Sequence, residues 1–122
     1  MYNNGMESSG WNVQFASEIE RGLAARTAGN EGQARVCARR AAGVAIGEYL
    51  LRQGMPQSDP SAYSRLQYLR DLPGISSEIK NVCENLLMRV DEGFALPVPI
   101  DLLAEAHRLA QALGLNPENS FV

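Results

Sequence analysis

One histidine, two cysteines and a single lysine stand in 122 residues, and that scarcity removes most site chemistry before any motif is sought. A zinc site needs several His, Cys or carboxylate ligands. His107 has only Cys37 and Cys83, on separate segments, as further soft ligands, so it reads as a solvent-facing or partly packed side chain. A catalytic cysteine needs a base oriented beside it, which this chain could supply only if tertiary structure brought His107 to a thiol. Two cysteines build no disulfide framework; each lies in an apolar-periodic segment and reads as a small buried hydrophobe. "AAGVAIG" (41–47) has neither the spacing nor the preceding strand of a phosphate-cradling loop. Ser8–Ser9 and Ser76–Ser77 read as leader and helix cap rather than as nucleophiles. No run approaches the ~18–20 apolar residues that span a membrane. The opening "MYNNGMESSG" lacks the basic and apolar regions of a secretory signal and reads as a mobile leader over 1–10. These absences point to a cytoplasmic protein with no metal, no cofactor and no membrane partner.

What is present suits one helical domain. The length fits a single hydrophobic core without staples, and 45% hydrophobic with 20% charged residues is an ordinary globular composition. The net charge of −3 is unevenly spread: six arginines face five glutamates before residue 55, and five basic groups face nine acidic ones after it. A nucleic-acid binder usually carries a domain-wide or one-faced basic excess, so any such excess here is local. Ten of the eleven basic residues are arginine, which fits bidentate recognition of phosphate or carboxylate and equally a coding bias.

Five helical segments follow from periodicity and stop signals. The first runs over Trp11–Ala28, with Trp11, Phe15, Ile19 and Leu23 as its stripe and Ala16 and Ala24 widening it. Gly29 supplies a left-handed stop and Asn30 an N-cap for the next helix, so the short junction makes an antiparallel hairpin. The second spans Glu31–Gln53, closed by Gly54. The third covers Pro60–Arg70, with Asp59 as N-cap, Pro60 at the first helical position and Tyr63, Leu66 and either Leu69 or Tyr68 inward. The fourth spans Ser77–Val90 from a Ser-Ser cap. "DEGFALPVPI" is an extended link, since its prolines forbid helix. The fifth covers Asp101–Leu113, ended by Gly114, with 115–122 as a frayed tail. The domain therefore spans 11–114 as an all-α, antiparallel four-to-five-helix up-and-down bundle.

"ARVCARRAAGVAIGEYLLRQG" (34–54) holds the two features that bear on function. Between Ala41 and Gly47 it has no charge on any face, and glycine inside a helix costs about 1 kcal/mol relative to alanine. Ala42, Gly43, Ile46 and Gly47 are thus candidates for close helix packing, within the bundle or across a dimer. Arg35, Arg39 and Arg40 cluster near the helix start, where guanidiniums and the helix dipole would suit a phosphate. The alternative is that Glu31 pairs with Arg35 at i,i+4 and the others pair across the hairpin with Glu18 or Glu20.

The order of elements over Ala16–Leu113 resembles the HEPN superfamily of helical domains. "TAGNEGQA" (Thr27–Ala34) resembles that family's short turn, residues 34–54 its small-residue second helix, and "VDEGFALPVPIDLLAEAHRLAQAL" its extended link and last helix. The resemblance implies a bundle that is commonly a homodimer. Family members include RNases, often toxins, and others that pair with a nucleotidyltransferase. The RNase members carry an arginine followed, four to six residues later, by a histidine. Arg89 stands where that arginine is expected, but "RVDEGFALP" supplies no histidine and His107 precedes Arg108. The general acid/base role is unfilled. The expectation is a non-catalytic HEPN-like interaction or regulatory module, homodimeric, with a nucleotidyltransferase or toxin-antitoxin partner. The alternative is a nucleotide- or RNA-binding protein, with or without weak RNase activity, using Arg35, Arg39, Arg40 and Arg89.

Overall fold

Helix periodicity, caps and stops together produce five helices in a computed structural model that describes residues 10–55, 59–89 and 100–117. They are α1 (Trp11–Thr27), α2 (Glu31–Arg52), α3 (Ala62–Arg70), α4 (Ser77–Leu87) and α5 (Leu102–Ala112), and no strand occurs among the described residues. The expected leader (1–9), most of the extended link (90–99) and the end of the tail (118–122) lie outside them.

Four helix starts are fixed by side chains that accept from the first unsatisfied backbone N–H groups. Asn30 caps α2 through Gln33 N at 3.0 Å, Ser76 caps α4 through Ile79 N at 3.1 Å, and Asp101 caps α5 through Leu103 N at 3.1 Å. The start of α3 differs from expectation. Asp59 accepts from Ser61 N at 3.0 Å in a turn, and Ser61, extended at ψ 131°, is the residue that caps the helix through Ser64 N. Asp101 likewise stands before its helix rather than in it. At the end of α1, Gly29 at φ 81° lets its own N–H reach Arg26 O and that of Asn30 reach Ala25 O, closing the last turn. Gly54 and Gly114 repeat this closure for α2 and α5. Beyond Gly114, Leu115 donates to Ala110 O and is buried, so the ordered core extends past the expected boundary.

The core forms by setting large side chains against a small-residue helix. Ala34, Ala38, Ala41, Ala42, Ala45 and Ile46 of α2 are buried, and they meet Phe15, Leu66, Leu69, Val82, Leu86, Leu102 and Leu109 of the other four helices. Consecutive helices pack on one another, and α5 returns to α2, which is therefore the central element. Leu69 rather than Tyr68 faces inward on α3. The stripe of α1 departs from expectation at its end: Leu23 is 49% exposed, and Gly22 is buried instead. Each four-residue step overshoots a helical turn by about 40°, so three steps from Trp11 rotate Leu23 away from the core. An added Cβ at Gly22 would stand 2.6 Å from Leu103 Cδ2 and 3.2 Å from Cys37 Cβ.

The small-residue positions of α2 resolve in the same way. Ala42, Gly43 and Ile46 are buried within this chain, and a Cβ at Gly43 would lie 3.2 Å from Ala62 Cα at the start of α3. Gly47 is overlain by the Arg65 guanidinium, which donates to Gly43 O at 2.8 Å. Their close approach is to α3 of the same molecule.

Candidate functional site

Successive residues on a helix point about 100° apart, and that separates the arginines that the sequence places side by side. Arg39 faces α3 and the end of α4, whereas Arg40 faces α1 and the loop before α3. Arg39 and Arg89 meet over Tyr63, Arg35 is near enough to act on Arg39 by charge, and Arg40 does not join them.

Arg39 is held by backbone. Its Nε donates to Leu86 O at 2.8 Å and its Nη2 to Met88 O at 2.6 Å. The reason lies in α4, which has no glycine behind it: Met88 is extended at ψ 135°, so the last turn cannot close as it does in α1, α2 and α5. The guanidinium supplies donors to carbonyls that the helix end leaves over. Expected pairing of Arg39 and Arg40 with Glu18 or Glu20 is not what forms: Glu18 meets Arg21 at 3.7 Å, and Arg39 takes the carbonyls. The guanidinium carbons of Arg39 and Arg89 lie 5.4 and 5.2 Å from the Tyr63 ring centroid, within cation–π range. Burial, opposed by Tyr63 and reinforced by the like charges of Arg35 and Arg89, pulls Arg39 below the ordinary arginine range. Tyr63 carried no functional reading in the sequence. The missing glycine after α4 was the available signal that a side chain from elsewhere must end it.

Glu31 is engaged from across the hairpin rather than left to Arg35 alone. Arg26 Nε and Nη2 donate to its two oxygens at 3.0 and 2.8 Å, and Arg26 Nη2 also donates to Asp101 Oδ1 at 3.0 Å. Both carboxyls are held below the usual carboxylate range, chiefly by those hydrogen bonds, and Arg35 adds attraction at Glu31. This clamp ties the end of α1 to the starts of α2 and α5.

The other reactive groups are packed away. His107 is half-buried, with its ring edge-on to Phe15 at 5.3 Å. Burial pushes the Cys83 thiol up to about 12, which leaves almost no thiolate at neutral pH. Cys37 is buried and receives Gln33 Nε2 at 3.8 Å. Among the described residues no group of His, Cys, Asp and Glu is placed to hold a metal, and no helix is long and apolar enough to cross a membrane. No protein-family model, curated protein or solved structure matches the chain.

Proposed function

We propose that this protein is a non-catalytic, HEPN-like binding module that takes a phosphorylated ligand, a nucleotide or single-stranded RNA, at Arg35, Arg39, Arg89 and Tyr63. The observation that carries the reading is that Arg39 and Arg89 share the Tyr63 ring while the groups acting on Arg39 itself are Tyr63, Arg35 and Arg89. Arg39 is preorganised by its two carbonyl bonds, and Arg89 stands exposed at the rim. Preorganised guanidiniums suit the oxygens of a phosphate. Support for a non-catalytic role is the absence of a histidine from this cluster and the suppressed thiol of Cys83. A cytoplasmic setting belongs to the same reading, because it keeps Cys37 and Cys83 as free thiols.

The test is fluorescence anisotropy with labelled single-stranded RNA and with nucleoside triphosphates across a salt series. Binding is expected to weaken with salt, and Arg89→Ala is expected to reduce the log–log slope by about 0.7 for the strand. Labelled RNA should stay intact through the incubation. Binding without salt dependence, or an Arg89→Ala and Arg35→Ala pair with unchanged affinity, would remove the site.

A second reading, the homodimer or protein-partner module, keeps one specific support. Val13 and Leu23 are exposed on α1, although Gly43 and Gly47, candidates for packing within the bundle or across a dimer, are covered by α3. A stoichiometric protein recovered with tagged chain after nuclease treatment would favour it.

A further inference from the structure

A separate cavity of about 340 Å³ opens between α1, α2 and the start of α3, and Glu18, Arg40 and Arg65 all line it. Its volume lies at the small end of ligand pockets, which run from about 300 Å³ upward. It shares no residue with the Arg35–Arg39–Arg89–Tyr63 cluster.

The polarity of its walls is divided. On the α1 side, Oε1 of Glu18 is buried with no hydrogen-bond donor among the described residues and shows no surface to the cavity, so a ligand reaches this carboxylate only through Oε2, which meets Arg21 at 3.7 Å. A buried acceptor without a donor is a costly arrangement. On the other side stand Arg40, Arg65 and the N-terminus of α3, capped by Ser61. Arg65 is held in place by Gly43 O at 2.8 Å and Asp59 O at 3.3 Å. Glu18 and Arg40 carry opposite charges in one cavity, yet they form no ion pair with each other. A purely anionic ligand would meet the Glu18 carboxylate, and a purely cationic one would meet two guanidiniums and the positive end of α3. A ligand that carries both charges satisfies both sides.

We propose that this cavity binds a small zwitterion of the α-amino acid class, its ammonium donating to Glu18 and its carboxylate accepting from Arg40 and Arg65. Val44 and Pro60 form the apolar wall available to the ligand's side chain.

The experiment is a titration of the full chain with each proteinogenic L-amino acid, followed through the amide resonances of Gly43, Val44, Ser61 and Ala62. A subset is expected to shift these amides saturably below about 10 mM. The N-acetyl and methyl-ester derivatives of a binder, which lose one charge each, are expected to bind at least about tenfold more weakly. Glu18→Gln, which keeps the side-chain shape, and Arg40→Ala should each weaken the free amino acid by a similar factor. The proposal fails if no amino acid shifts these amides, if the N-acetyl derivative binds as well as its parent, or if inorganic phosphate alone gives the same shifts. The derivative series needs only the unmodified protein, so it decides the matter even where a variant folds poorly.

Discussion

Removing the Arg39 side chain should reveal how much of α4 depends on it. Arg39→Ala deletes two hydrogen bonds from a charged donor, to Leu86 O and Met88 O, and bonds of this kind contribute about 1.5–3 kcal/mol each. Arg39 and Met88 are both only half-buried, so water recovers part of the loss, and a total of about 2–4 kcal/mol is expected. Against a domain stability of about 5–15 kcal/mol that is a large fraction. With a urea m-value of about 2 kcal/mol/M, the middle of the usual range, the midpoint should fall by about 1–2 M. Arg39→Lys keeps the charge but has no fork to reach two carbonyls, and it should restore no more than about half of the loss. The assay is urea unfolding followed by circular dichroism, with amide exchange at Met88, whose N–H donates to Asn85 O, as the local readout. A cost below about 0.5 kcal/mol for Arg39→Ala, typical of an unremarkable surface site, would refute the capping role, as would a lysine variant as stable as the parent.

The remaining predictions concern packing, acid and thiol chemistry. Gly22→Ala should destabilise by about 1–2 kcal/mol, because the clash with Leu103 and Cys37 outweighs the helix-propensity gain of about 1 kcal/mol. Gly32→Ala meets only Asn30 Oδ1 at 3.7 Å and should be neutral or stabilising in the same unfolding assay. The opposite order would show that Gly22 is not sterically required. The carboxyls of Glu31 and Asp101 have depressed folded values, so their contribution is present above the ordinary carboxylate range and lost as pH falls through the folded values. Thermal midpoints should hold between about pH 7 and 5 and drop below about pH 4. Both groups are half exposed, so solvent screening limits the clamp to about 1 kcal/mol; Arg26→Ala should flatten the acid limb, and an unchanged limb would remove the clamp's role. Cys83, buried and with its thiol pushed up to about 12, should resist iodoacetamide at about pH 8 in the native protein and react once urea unfolds it. Native labelling at the rate of an exposed cysteine would contradict that placement.

The elements that could be read from the sequence are those set by local physics. Asn30, Ser76 and the glycines after α1, α2 and α5 act on their own neighbours within a turn, so the residue types suffice to place them. Misplacements arise where a tertiary contact or an accumulated angle decides. Leu23 fits a four-residue repeat but not a helix of 3.6 residues per turn, and Gly22 is the position that α5 approaches. At α3 two caps compete within three residues, and the extended backbone of Ser61 decides for serine over Asp59. Whether Gly43 and Gly47 face a neighbour in the bundle or a second chain was open in the sequence, because a small-residue face is the same in either case. Ala62 and Arg65 settle which surface covers them here.

The candidate sites were harder to read for a geometric reason. Three arginines within six residues look like one cluster on the page, but position 40 lies about 100° around the helix from position 39. The first belongs with Glu18 and Arg65, the second with Tyr63 and Arg89. A double Arg39→Ala, Arg40→Ala variant would therefore remove a helix cap and perturb two different surfaces at once, and a loss of binding in it could be assigned to none of them. Arg89 and Arg40 are the informative single positions. Each is exposed, each faces one surface only, and neither takes part in closing a helix end. If phosphate recognition and zwitterion recognition are separate, Arg89→Ala should weaken RNA while leaving the amide shifts of Gly43 and Ser61 unchanged, and Arg40→Ala should do the reverse. Loss of both in either variant would mean that the two surfaces act as one.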